Sequence, residues 1–371
     1  MAMRAKADAG ARYSGEVAYL FAYDVAYEMT RQPIGTLLGR AVATYEAGPG
    51  KPGPKQFFYR PQMVRLAPVE HQGPQGPVRL EWALKLFPVG AISISVRVPF
   101  KDLTLEELVG YHDLHFGNGT LQSAARQLAV QVVEELRPYA IRPVEEVRDE
   151  EVYTVFCING GSVDAPSEVW LSRNRREVGA LLTQEDKPRQ LSRQEFREST
   201  QRYLSYYQRD LAVIDWDAAL VIEQPDYLDE ILHVMELANV QLVELEAYDR
   251  FLDVALDRSY RDLAQRVMRG RGDILGSLRE IRIDMARLSD ELSNITKFFG
   301  DWHLARIYQT LSARFHLDDW HRVIDEKLKT LDDLYQLHKQ DRTNRVMMVM
   351  ELSIVVMFLL DLIILLMQLW K

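Results

Sequence analysis

His112 and His115 stand three residues apart, with Asp113 between them and Glu106 and Glu107 upstream, a spacing at which two imidazoles on one helical turn could ligate a metal ion. Two histidines are fewer than a closed zinc site needs, so the pair is kept as a candidate polar site and no metal is assigned. Asp215-Trp216-Asp217 is the second candidate. Paired carboxylates can do acid–base work or hold a divalent ion, and the competing reading is a turn around a packed tryptophan. His316, Asp318, Asp319 and His321 make a third cluster, in which the aspartates have a sufficient role at a helix start. Cys157, the single cysteine, lies in an apolar run with no neighbouring base and fits a buried inert thiol better than a nucleophile. Gly48-Pro49-Gly50-Lys51-Pro52 is no phosphate loop: Tyr45 replaces the required first glycine and Pro52 the hydroxyl residue after the lysine. Phe116-Gly117-Asn118-Gly119-Thr120 suits a helix cap at Thr120 better than an anion site. No catalytic residue and no cofactor follows from these residues, and any Ser–His–Asp set would assemble only in the fold.

A fourth polar set sits in an apolar setting. Between Val346 and Trp370 only Glu351, Ser353, Asp361 and Gln368 are not apolar, and a helix of that length spans about 37 Å at about 1.5 Å per residue. An acid near the middle costs about 2.5 to 3.5 kcal/mol, while the 13 Leu, Ile, Val and Phe residues from Leu352 to Leu369 contribute up to about 0.3 to 0.6 kcal/mol each. The balance predicts a C-terminal tail anchor at 346–370, with the N-terminal head cytoplasmic and Arg342 and Arg345 on its side. Glu351, Phe358, Asp361 and Gln368 fall on one seam at three-four spacing. That seam predicts packing against a second copy or another membrane helix.

The elements that must position these groups change character along the chain. Val17 to Tyr27 alternates aromatic or apolar with mostly small residues and reads as a strand with a buried aromatic face. Pro/Gly stretches at Ala47–Lys55 and His71–Pro77 read as loops. Leu80 to Leu86, a turn at Pro88-Val89-Gly90, and Ile92 to Val98 read as a hairpin whose Ser93, Ser95 and Arg97 face is solvated or lines a polar surface. An amphipathic helix from Leu121 to Leu136 should cover the sheet. Val152–Ile158 and the run Tyr203–Glu223 read as strands, with polar helix between. From Leu228 a three-four rhythm runs to Leu256 with Asp249 as a polar intruder, and it resumes from Ile274 to Phe299 after the turn at Arg269–Asp273. These should pair as antiparallel helices. A shorter helix at Leu304–Phe315 and another after Asp318-Asp319 should follow, the last running without a break into the anchor.

The fold class expected is α+β: a strand-rich N-terminal head (1–225), a long antiparallel helical hairpin or stalk (226–345) and one C-terminal transmembrane helix (346–370). In 371 residues, 47% hydrophobic and 27% charged, there is ample material for a folded core. Acidic residues number 54 against 45 basic, a net charge of −9, so direct nucleic-acid binding is disfavoured. One cysteine excludes an intrachain disulfide and fits a reducing compartment. Met1–Gly15 has no apolar core of secretory-signal length.

The second half resembles the family named for yeast "required for meiotic nuclear division protein 1". The residues that carry the resemblance are the helix Leu237-Ala238-Asn239-Val240-Gln241-Leu242-Val243-Glu244-Leu245-Glu246, then Phe298-Phe299-Gly300-Asp301-Trp302, then Leu317-Asp318-Asp319-Trp320-His321-Arg322-Val323, and a terminal span with acids at Glu351 and Asp361. The resemblance implies a membrane protein that acts as a tether or scaffold for translation, with ribosomal or translation proteins as partners and no catalytic residues. The leading expectation is therefore a non-enzymatic, oligomeric membrane scaffold. The alternative is a membrane-tethered hydrolase or small-ligand-binding domain using the sheet face or the His112–Thr120 loop, which a deep pocket with converging polar groups would favour.

Overall fold

The chain opens with β1 (Tyr13–Asp24) and β2 (Ala26–Met29), passes three two-residue strands, β3 (Thr36–Leu37), β4 (Arg40–Ala41) and β5 (Ala43–Thr44), and continues through β6 (Gln62–Arg65), β7 (Val69–Gly73), β8 (Gly76–Leu86) and β9 (Ala91–Leu103). There follow α1 (Leu105–Val109), β10 (His115–Phe116), β11 (Gly119–Thr120), α2 (Leu121–Leu136), β12 (Ala140–Pro143), β13 (Glu150–Asn159), α3 (Ser167–Leu182) and α4 (Arg193–Ser199). After β14 (Tyr203–Leu204), β15 (Leu211–Ile214) and β16 (Ala218–Glu223) the described residues continue in the helices α5 (Pro225–Gln265), α6 (Trp302–Arg314) and α7 (Leu317–Leu369). This computed structural model describes residues 11–30, 32–45, 61–73, 76–117, 119–163, 165–265 and 302–369. The Ala47–Lys55 loop, the Arg269–Asp273 turn and the Ile274–Phe299 helix expected from the sequence lie outside the described residues.

The sheet runs β14-β15-β16-β13-β1-β9-β8-β6-β5, with β7 also paired to β8. Its centre is antiparallel, β13-β1-β9-β8, while β13 and β16 are parallel because the helices α3 and α4 carry the chain between them. The aromatic face of β1 is buried as its alternation predicts: Tyr19, Phe21 and Tyr23 pack with α1, α2 and α3 in one core. The β8–β9 hairpin also forms where expected. Its Gly90 sits at φ +97°, and a Cβ there would lie 1.9 Å from the Ala26 carbonyl oxygen, so the turn requires glycine. Thr120 caps α2 through a reciprocal pair with Ser123. Of the expected loop His71–Pro77, residues 71–73 and 76–77 are strand: β7 and β8 pair up to Gly73↔Gly76.

The second face of the sheet departs from expectation. Ala18, Leu20 and Ala22 alternate with the aromatics of β1 and are also buried. Small residues there let a helix approach closely, and Leu237, Val240 and Val243 of α5 pack on Ala22 and Ala91. Near the β15 side, Phe315 meets Tyr153 edge-on at 5.2 Å between ring centroids. The sheet is a middle layer with helices on both faces.

By contacts the chain divides into two compact units, one of residues 1–247 and 286–320, the other of 248–285 and 321–371. In the second unit Lys327 pairs with both Asp249 and Asp253 at 2.6 Å, which accounts for the acid interrupting the apolar rhythm. Among the described residues Leu252, Ala255, Ile324, Leu328 and Leu331 are its buried apolar side chains.

The fold class is corrected to a mixed α/β structure, strand-rich in its N-terminal region and with helices, but without the transmembrane helix. Among the described residues no helix is long and apolar enough to cross a membrane. A crossing needs about 20 consecutive, mostly apolar residues. The described side chains of the apolar stretch extend only from Met347 to Ile363, with Glu351 near their start. The anchor at 346–370 and the single-pass membrane location with a cytoplasmic head rested on that helix and do not stand. Glu351 and Phe358 are exposed on α7, while the side chains of Asp361 and Gln368 lie outside the described residues.

Candidate functional site

The register of four strands builds a pit on the α5 face of the sheet. Arg65 of β6 is paired with Ala83 of β8, Ala83 with Ser95 of β9, and Ser95 with Leu20 of β1. One row along, Met63 pairs with Lys85 and Lys85 with Ser93; on the other side, Glu81 pairs with Arg97 and Arg97 with Ala18. Directly opposed side chains stand about 5 Å apart. Small residues at the centre, Ala83 and Ser95, are thus ringed by Arg65, Lys85, Glu81 and Arg97. Together with Tyr45 and with Asp229, Leu232 and Glu236 of α5, they line a cavity of about 290 Å³. That is the low end of the range for small-molecule sites.

Its inner wall is an ion cluster. Lys85 and Glu236 form a buried salt bridge, and His233 Nδ1 lies 3.3 Å from Lys85 Nζ and 3.5 Å from Glu236 Oε2. The Tyr45 ring stands 4.1 Å from Lys85 Nζ and 4.6 Å from the His233 ring, a cation–π contact inside the same cluster. Burial alone would raise Glu236, but the Lys85 ammonium and His233 outweigh it and hold the carboxyl down at about 2. Burial first, and Lys85 second, lower His233 to about 4 against the pull of Glu236, so the imidazole is neutral at pH 7. At the other side Arg97 donates to Glu16 at 2.8 Å through Nε and to Asp229 at 2.6 Å through Nη1.

The residues singled out in the sequence go elsewhere. His112 donates to the Leu181 carbonyl and packs edge-on against Phe156, and burial lowers its pKa. His115 is exposed and turns to Asp113, so the two histidines do not converge. Asp215 is buried against Arg314, Trp216 stacks on His316, and Asp217 sits at the exposed turn between β15 and β16. Tyr153 donates to the Asp215 carbonyl at 3.1 Å, so the trio is a pinned turn. Among the described residues no group of three metal-ligating side chains occurs. Cys157 is buried and its thiol is pushed up by burial. Glu151 of β13 is raised to about 8, by burial first and then by Glu246 of α5.

Lys85, His233 and Glu236 escaped the sequence reading, although Arg97 and its face were flagged. Their signal was present: Asp229, His233 and Glu236 follow four- and three-residue steps beside the apolar stripe of α5.

The family model for the N-terminal domain of the uncharacterized protein MJ0711 matches residues 14–228. The chain belongs to that family. The protein MJ0711 of Methanocaldococcus jannaschii is 24% identical over 224 residues, 57% of this chain, and the chain spans 65% of the length of that curated relative. No solved structure matches. The match overturns the resemblance to the meiotic nuclear division family. The helix Leu237–Glu246 that carried it is a pattern any buried amphipathic helix shares, and Phe298–Asp301 lie outside the described residues.

Proposed function

We propose that the family domain, with α5 as its cover, binds a small polar molecule in the cavity between β6, β8, β9, β1 and α5. The observation that supports this reading is a half-open cavity of about 290 Å³ lined by opposed charges that converge from four elements, β6, β8, β9 and α5. Buried ion clusters cost desolvation, and a hydrophobic filling of the same volume would commonly be as stable or more so. Charges around an open volume are what recognition of a polar ligand requires. No reaction is assigned: Lys85 Nζ, the amine on the cavity wall with His233 Nδ1 at 3.3 Å, is held in the ion pair with Glu236. The test is equilibrium dialysis of the full chain against a metabolite extract, read by mass spectrometry, beside Ala83→Phe, which fills the pit. Retention of a compound by the wild type and its loss in the variant, at an unchanged unfolding midpoint, is the expected result. Equal retention by both proteins, or none by either, sinks the reading.

A second reading, docking of a macromolecular partner as a scaffold, has its own observation. Tyr206, Tyr207, Trp216 and Trp302 are exposed aromatics on the same unit, Trp302 at 80%.

A further inference from the structure

Three of the four cations around the cavity already have carboxylates: Lys85 has Glu236, Arg97 has Glu16 and Asp229, and Arg79 has Glu81. Arg65 has no ion pair among the described residues, yet the register sets it beside Ala83, at the centre of the pit. A guanidinium with five donors in a planar fork suits a carboxylate or phosphate, and the missing side chain at Ala83 leaves the space for one. On the inner wall the opposite deficiency appears. Glu236 is 1% exposed, and no hydrogen-bond donor among the described residues reaches its Oε1, although Oε2 is held by Lys85. A buried carboxylate oxygen without a donor is costly, and a donor supplied by a ligand would relieve it.

We infer that the cavity takes a small organic acid that also carries a hydrogen-bond donor. Its carboxylate or phosphate sits over Ala83 and Ser95 against Arg65, and its hydroxyl or amino group turns toward Glu236. This inference rests on the small-ligand reading above and adds to it the chemical class and the orientation. The volume admits a compact hydroxy acid, amino acid or phosphorylated polyol and leaves little room for a nucleotide. Arg65 becomes the specificity-determining residue. Arg79, already neighbour to Glu81, does not.

The test measures binding to the full chain by saturation-transfer NMR and calorimetry. The probes are L-alanine, L-lactate and glycerol 3-phosphate, each beside its analogue without the acid (alaninamide, lactamide, glycerol), with propionate as the acid without a donor. The expected result is that at least one acid with a donor binds at least tenfold more tightly than its acid-free analogue and than propionate. Arg65→Gln should lose that tenfold preference, Arg65→Lys should restore part of it, and Arg79→Gln should leave it intact. Acid-free analogues that bind as well as the acids, with Arg65→Gln indifferent, overturn the class while the small-ligand reading survives. If no probe binds and dialysis leaves nothing on the wild type, both fall together.

Discussion

At the scale of single residues, the Lys85–Glu236–His233 cluster carries the sharpest expectations. Lys85→Met leaves Glu236 charged and buried without its cation, and such a loss costs about 3–5 kcal/mol. The double variant Lys85→Met/Glu236→Met removes both charges, and urea titration should place it above the sum of the two single losses. Acid sensitivity follows from His233. Its pKa is about 4 in the folded chain and about 6.5 when unfolded. Above pH 6.5 both states hold the ring neutral and the stabilisation is complete. As pH falls from 6.5 to 4 the unfolded state takes up the proton first, and stability drops by roughly 3 kcal/mol. Glu236 adds a second loss lower down, starting near its ordinary range and ending at about 2. Urea midpoints measured between pH 7 and 4 should slope downward in the wild type and flatten in His233→Gln. An unchanged slope in that variant would assign the acid sensitivity to other groups.

At the scale of elements, the β8–β9 turn is the least forgiving. Gly90→Ala puts a Cβ against the Ala26 carbonyl in a left-handed backbone conformation, and a loss of about 1–3 kcal/mol or more is expected from strain. Thermal melts with Gly90→Ala beside a neutral surface change would check it. The hairpin and α2 could be read from the sequence because their periods are local and their punctuation strong: Pro88-Val89-Gly90 for one, Thr120 and Pro138 for the other. The second buried face of β1 could not, since Ala18 and Ala22 are too small to signal burial by hydropathy. What marks them is the closeness of α5, a long-range fact. The cavity was half visible: the polar face of β9 was recognised, but Lys85 and Glu236, 151 positions apart, meet only once α5 crosses the sheet. Composition alone marks the terminal apolar run for a membrane, yet among the described residues no helix is long and apolar enough to cross one.

At the scale of the whole molecule, the family match and the folded unit do not coincide. The match ends at residue 228, whereas the compact unit extends along α5 to Ala247 and takes in 286–320. Without those segments Leu20, Ala22, Tyr153 and Cys157 lose the layer that covers them, and Asp215 loses Arg314. A chain ended at residue 228 should therefore aggregate or bind a hydrophobic dye strongly, while one ended at Trp320 should give a cooperative melt with little dye binding. Equal behaviour of the two would show that the sheet holds its shape with one face bare. The same layer turns Cys157 into a clock. The chain has no other thiol, this one lies on the helix-covered face of β13 within the field of Arg97 and Glu16, and a reagent can reach it only while the layer is lifted. Labelling at excess reagent thus counts openings over the cavity, and a bound ligand that ties β9 to α5 should slow the count by the factor by which it holds them shut.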